Sequence, residues 1–209
     1  MLQVEAYSVG QLKTNCYLVF DSQTNQALVI DPGEAAEFLA EKISQKNLKL
    51  KYIVASHGHF DHVLAAGILK AIFNTPFLIN RNDEKLLKKM NSSAGYWLGV
   101  DSQYPVAEID HDLKEGVILR LGKHSLTVIE TAGHTPGSVC LSSKNILFSG
   151  DTLFKDGIGR TDYSYSDKKQ MIKSLDKLAA LPPQTVCYPG HGPLTTISAM
   201  KKLPNKLFC

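Results

Sequence analysis

Between residues 57 and 62 the chain reads His57-Gly58-His59-Phe60-Asp61-His62, directly after the short apolar run Tyr52-Ile53-Val54-Ala55. Imidazoles crowded this closely repel once protonated, and burying their charged forms costs desolvation. A divalent cation removes both problems by taking the neutral nitrogen lone pairs. His57 and His59 are two apart, so an extended loop turns both to one side. Asp61 continues that alternation, and His62 turns to the other side. One short loop can therefore serve two neighbouring ions.

The pattern does not stand alone. Two more histidines follow glycine at the ends of predicted strands, in Gly133-His134 and Gly190-His191. Asp151 sits in Ser149-Gly150-Asp151-Thr152, just past another apolar run. Five histidines and two aspartates thus fall on strand-end loops. Nitrogen and carboxylate donors suit Zn, Fe or Mn rather than Ca or Mg. The four cysteines (Cys16, Cys140, Cys187, Cys209) lie outside these motifs and form no C-x-x-C, which argues against a thiolate zinc site. The first three are expected to be buried as small apolar residues, and Cys209 to be exposed. The other two histidines, His111 and His124, lie among polar residues and are expected at the surface.

Around the motifs the hydrophobic pattern alternates between strands and helices. Strands are predicted at 4–7, 16–20, 27–30, 52–55, 77–79, 117–121, 126–131, 139–141, 146–148 and 185–188. Helices are predicted at about 36–43, 63–73, 83–90 and 166–181. The segment from Asn91 to Gly116 shows no clear period and reads as a long loop carrying Tyr96, Trp97 and Tyr104. The two halves share an order of strands, then helix, then a strand running into a histidine loop. Strands inside and helices outside give an α/β sandwich.

With 209 residues, the chain suits one domain, and residues 1–209 are read as a single unit. The net charge of +3, spread over scattered or paired lysines, lacks the dense basic stripe of a nucleic-acid binder. No targeting segment is visible, and the longest apolar stretch is too short to span a bilayer. A soluble cytoplasmic protein, with no nucleic-acid or membrane partner, is the expectation.

Taken together, Ser56-His57-Gly58-His59-Phe60-Asp61-His62, Ala132-Gly133-His134-Thr135-Pro136-Gly137-Ser138, Ser149-Gly150-Asp151-Thr152-Leu153-Phe154 and Pro189-Gly190-His191-Gly192 resemble the metallo-β-lactamase superfamily in order and spacing. Asp31-Pro32-Gly33 fits as its early turn. Within the superfamily the chain is similar to the short, single-domain glyoxalase II-like (hydroxyacylglutathione hydrolase-like) group. The resemblance implies a four-layer αββα sandwich with the metals at one edge of the two sheets. It implies a first ion at His57, His59 and His134, a second at Asp61, His62 and His191, and Asp151 bridging both. Asp61 and Asp151 are then catalytic as well as metal-ligating. True class B β-lactamases commonly place a cysteine at the position of Asp151. Two features depart from glyoxalase II. Only 18 residues follow His191, so its helical extension is missing, and Gly159-Arg160-Thr161-Asp162 lacks its aromatic pair. Arg160 is read either as a substrate contact or as a brace paired with Asp162. Tyr96, Trp97 and Tyr104 are read either as candidate substrate contacts or as a small satellite core.

The activity this implies is hydrolysis of a small-molecule thioester or related ester. Two divalent ions, zinc first and iron or manganese next, would hold a bridging hydroxide that attacks the carbonyl carbon. Three rivals remain at this point. One is a mononuclear iron dioxygenase acting on a persulfide, using His57 or His59 with His134 and Asp151. Another is an RNA or phosphodiester hydrolase, which calls for a basic groove. The third is a metal-binding module without catalysis, against which stands the room such a ligand set leaves for water or substrate.

Overall fold

The computed structural model describes residues 1–99 and 103–202, so Cys209 lies outside the described residues. Two six-stranded sheets face each other. The first comprises β1 (Leu2–Val9), β2 (Thr14–Asp21), β3 (Gln26–Ile30), β4 (Lys49–Val54), β5 (Phe77–Ile79) and β6 (His111–Asp112), in that spatial order. The second comprises β7 (Ile118–Leu121), β8 (His124–Glu130), β9 (Val139–Ser143), β10 (Ile146–Gly150), β11 (Val186–Pro189) and β12 (Thr195–Thr196), again neighbour to neighbour. β3 to β6 run parallel, as do β10 and β11, while the remaining pairs are antiparallel.

Period-two alternation sorts the strand side chains into three apolar layers. In β2, Cys16 and Leu18 face the outer helices of the first sheet, whereas Tyr17 and Val19 face the second sheet. β3 repeats this with Ala27 and Val29 against Leu28 and Ile30. From the other side Leu119, Leu126, Val128, Leu141 and Phe148 complete the middle layer. Both faces of the central strands are buried, which is why they read as near-continuous apolar runs. Cys140, Leu147 and Cys187 point away from that layer, towards the helices behind the second sheet. The expected αββα layering is the one observed.

Helices α1 (Ala36–Gln45), α2 (Phe60–Val63), α3 (Ala66–Phe73), α4 (Glu84–Lys88) and α5 (Met90–Leu98) accompany the first sheet, and α6 (Lys168–Ala179) and α7 (Ile197–Met200) the second. α6 matches its sequence pattern, with Met171, Leu175 and Leu178 buried. Asp167 caps it, accepting from the backbone N–H groups of Lys169 (2.8 Å) and Gln170 (3.0 Å). Cys16, Cys140 and Cys187 are buried free thiols, as expected. His111 is exposed, whereas His124 is half-buried, 3.8 Å from Asp21.

Two elements differ from expectation. The helix predicted at 63–73 begins at Ala66 as α3, and Asp61 and His62, read as part of an extended loop, lie on a separate helical turn, α2. The amide of Ala65 donates to the carbonyls of Pro32 and Gly33, both at 3.0 Å, so the turn is pulled onto the Asp31-Pro32-Gly33 loop. Gly33 is required there, because any side chain would run into the Asp61 carbonyl. The segment read as a loop from Asn91 begins as α5, and β6 follows within it. Met90 and Ala94 of α5 are buried, and the backbone of Tyr104 exchanges two hydrogen bonds with the Asn91 side chain. No helix among the described residues is long and apolar enough to cross a membrane.

Candidate metal centre

The ends of β3, β4, β8, β10 and β11 meet at one edge of the sandwich, and each carries a polar residue to that edge. β3 runs into Asp31, β4 into the 56–62 loop, β8 towards His134, β10 into Asp151 and β11 towards His191. All seven residues singled out by the sequence converge here.

His57 Nε2 lies 3.0 Å from His59 Nδ1, which lies 3.1 Å from His134 Nε2. His62 Nε2 lies 3.3 Å from His191 Nε2. Asp61 Oδ2 stands 3.2 Å from His191 Nε2 and 3.5 Å from His62 Nε2. Asp151 reaches both groups: its Oδ1 is 3.5 Å from His62 Nε2, and its Oδ2 is 3.6 Å from His134 Nε2 and 3.7 Å from His191 Nε2.

The outer ring nitrogens explain what the inner ones can do. His134 Nδ1 donates to the carbonyl of Arg160 (2.9 Å) and His191 Nδ1 to that of Leu12 (3.2 Å). The Ser56 hydroxyl donates to Asp31 (2.9 Å), so His57 Nδ1 donates to Ser56 Oγ (3.0 Å). His59 Nε2 meets the Tyr165 hydroxyl at 2.8 Å. His62 Nδ1 faces Asp31 Oδ2 at 3.1 Å, a charge contact without good hydrogen-bond alignment. In the neutral His57 and His134 rings the inward Nε2 atoms therefore carry lone pairs, and both face His59 Nδ1 at 3.0–3.1 Å, so one cation can take three nitrogens there. Nitrogens bound to one tetrahedral zinc at about 2.0–2.1 Å stand about 3.3 Å apart, so the spacing fits. Asp151 Oδ1 is buried without a hydrogen-bond partner, which also fits a site made for cations. A side chain at Gly190 would strike both the Asp151 carboxylate and the His62 ring.

Without a cation the cluster splits its protons unevenly. Burial, with the neighbouring imidazoles, holds His57 well below the usual histidine range and His59 down at about 3. Burial also disfavours charge on His62, but the carboxylates of Asp61, Asp151 and Asp31 outweigh it and lift the ring to about 10. Burial acts against ionised Asp61 too, yet His62, His191 and the Thr14 hydroxyl (2.9 Å) keep it far below the normal carboxylate range.

Beside the cluster opens a cleft of about 640 Å³. Trp97 lines it, but Tyr96 does not. Tyr96 is 81% exposed and packs edge-on against Trp97, at 5.3 Å between ring centroids. Successive helical residues are about 100° apart, so only one of the two can face the cleft. Tyr104 packs against the core of the first sheet instead. Arg160 lies at the cleft, but its guanidinium is held in a two-pronged pair with Asp162 (2.9 and 2.8 Å) and stacks over Tyr163 at 4.6 Å. The pairing with Asp162 is therefore present, and Arg160 also borders the cleft. Phe154 also lines the cleft.

Several residues of the site carried no signal in the sequence. Tyr163 and Tyr165 stack on one another (5.4 Å) beside His59. Asp83 is fully buried behind the ligand loops. It accepts hydrogen bonds from the amides of Gly58 (2.8 Å) and Gly137 (2.7 Å) and the hydroxyl of Thr135 (2.6 Å), tying the first histidine loop to the His134 loop.

A sandwich of this layering with a histidine–aspartate cluster at the strand ends is the architecture of a metal-dependent hydrolase. The profile of the metallo-beta-lactamase superfamily matches residues 9–191, and the chain belongs to that superfamily. It is 34% identical, over 96% of each chain, to the hydroxyacylglutathione hydrolase GloC of Haemophilus influenzae. Among solved structures it is similar to BLEG-1, a B3 metallo-beta-lactamase (TM-score 0.88, 30% identity, 99% of this chain and 100% of that one). It is equally similar to TTHA1623 in a di-iron-bound form (TM-score 0.87, 32% identity, 98% of this chain and 100% of that one).

Proposed function

We propose that the chain is a dinuclear metal-dependent hydrolase that cleaves a small-molecule thioester or related ester. His57, His59 and His134 would hold one ion, Asp61, His62 and His191 a second, and Asp151 would join the two. The observation that carries this reading is the pair of converging nitrogen groups with both Asp151 oxygens reaching between them. Bound there, the ions supply a water nucleophile at neutral pH and polarise the substrate carbonyl.

The chain's own residues do the rest. The carbonyls of Arg160 and Leu12 and the Ser56 and Tyr165 hydroxyls fix the ring orientations. Apolar walls at Phe60, Phe154 and Ile158 exclude water from one side of the cleft. A thiolate leaves without needing a proton donor, whereas an amine needs one. The 34%-identical hydroxyacylglutathione hydrolase supports the thioester class. Zinc is the expected metal, and the di-iron form of TTHA1623 supports iron as a second occupant.

The test is metal analysis of protein purified without added metal, with turnover of a thioester, a β-lactam and a persulfide measured on the same sample. Two ions per chain with thioester hydrolysis is the expected result. One iron per chain with oxygen uptake on the persulfide, or β-lactam hydrolysis alone, would overturn it.

A further inference from the structure

Leu86, Lys89, Ser93 and Trp97 all line the cleft, and their spacing of three, four and four residues places them in one stripe along α4 and α5. The neighbouring stripe, Leu87, Met90 and Ala94, about 100° round the helix, is buried in the core, so packing fixes which face looks into the cleft. The stripe is graded: apolar Leu86, cationic Lys89, a small hydroxyl at Ser93, and an indole that is 58% exposed.

Among the described residues, few charges line this cleft. Asp61 and Asp151 belong to the metal centre, and the Arg160 guanidinium is already matched by Asp162. Lys89 remains as an exposed cation, since the neighbouring acid Glu84 pairs with Lys88 instead (2.7 Å). Among the described residues no acid pairs with this ammonium, and an exposed indole follows about two turns further along the same stripe, which suits a ligand that is anionic at one point and apolar further along its length.

Resting on the hydrolase reading above, we propose that this stripe is a specificity subsite for a carboxylate-bearing arm of the substrate. Lys89 holds the carboxylate, and Trp97 covers the apolar part further along the arm. The site would therefore prefer thioesters with a carboxylate on the arm beyond the reacting carbonyl over neutral or cationic ones.

Trp97 is the only tryptophan of the chain, so its fluorescence reports on this subsite alone. Metal-loaded protein would be titrated with 3-(butylthio)propionate, its neutral amide and the corresponding amine, none of which can be hydrolysed as a thioester. The acid is expected to bind about tenfold more tightly than the amide. Lys89→Met should abolish that preference, Lys89→Arg should keep it, and Lys89→Glu should turn it towards the amine. Equal binding of acid and amide, or an acid preference that survives in Lys89→Met, overturns the subsite. Acid preference without thioester turnover in parallel assays would uphold the subsite and reject the reaction. Turnover without acid preference would do the reverse.

Discussion

Asp83 shows how much of the site depends on residues that never meet substrate. Its carboxylate is enclosed with three donors, two of them backbone amides on different ligand loops. Asp83→Ala would strand those donors in a buried setting, at a cost of about 3 kcal/mol, and let the Gly58 and Gly137 loops drift apart. Urea denaturation should show the loss, and metal content should fall with it. Tyr165→Phe is a gentler change. It removes one hydrogen bond from His59 and leaves the aromatic stack, so zinc affinity should fall about tenfold by competition titration while the denaturation midpoint stays put. Asp151→Ala strikes the centre itself, and activity and metal content should disappear together. A fully active, metal-free Asp151→Ala protein would contradict the whole reading.

At the level of elements, the motifs were legible because each follows an apolar strand whose end must lie at a sheet edge. His57 to His62, His134, Asp151 and His191 could be placed on strand ends from periodicity alone, and the structure brings them together. α5 was not legible. Its two faces are both occupied, Met90 and Ala94 in the core and Ser93 and Trp97 on the cleft, and serines and Gly95 weaken the helical signal. β6 and β12, at two residues each, are too short for any period to show. Tyr163, Tyr165 and Asp83 act through contacts far apart in sequence, which one chain without pairing information does not display. Glycine placement gives a prediction at this scale. Gly190→Ala puts a methyl group against Asp151 and His62, so it should cost metal binding before it costs folding, by metal analysis beside far-UV circular dichroism.

For the whole molecule, the uneven proton balance gives a pH signature of the metal-free form. His59, held at about 3 against about 6.5 when unfolded, binds its proton more readily in the unfolded chain. That part of the stability is present above pH 6.5 and is lost as the pH falls towards 3. His62, raised to about 10, binds its proton more readily when folded, so its part is present below pH 6.5 and is lost as the pH rises through 10. Thermal unfolding of chelator-treated protein should therefore weaken in both directions. Metal must displace the His62 proton, so loading at pH 7 should release protons, readable by calorimetry in buffers of different ionisation enthalpy. The central claim, that seven side chains enclose two cations, is tested most directly by anomalous diffraction from crystals of the protein grown with zinc. The account predicts two anomalous peaks, one among His57, His59 and His134 and one among Asp61, His62 and His191, with Asp151 touching both. A single peak, or ions bound anywhere else while this edge stays empty, would contradict it.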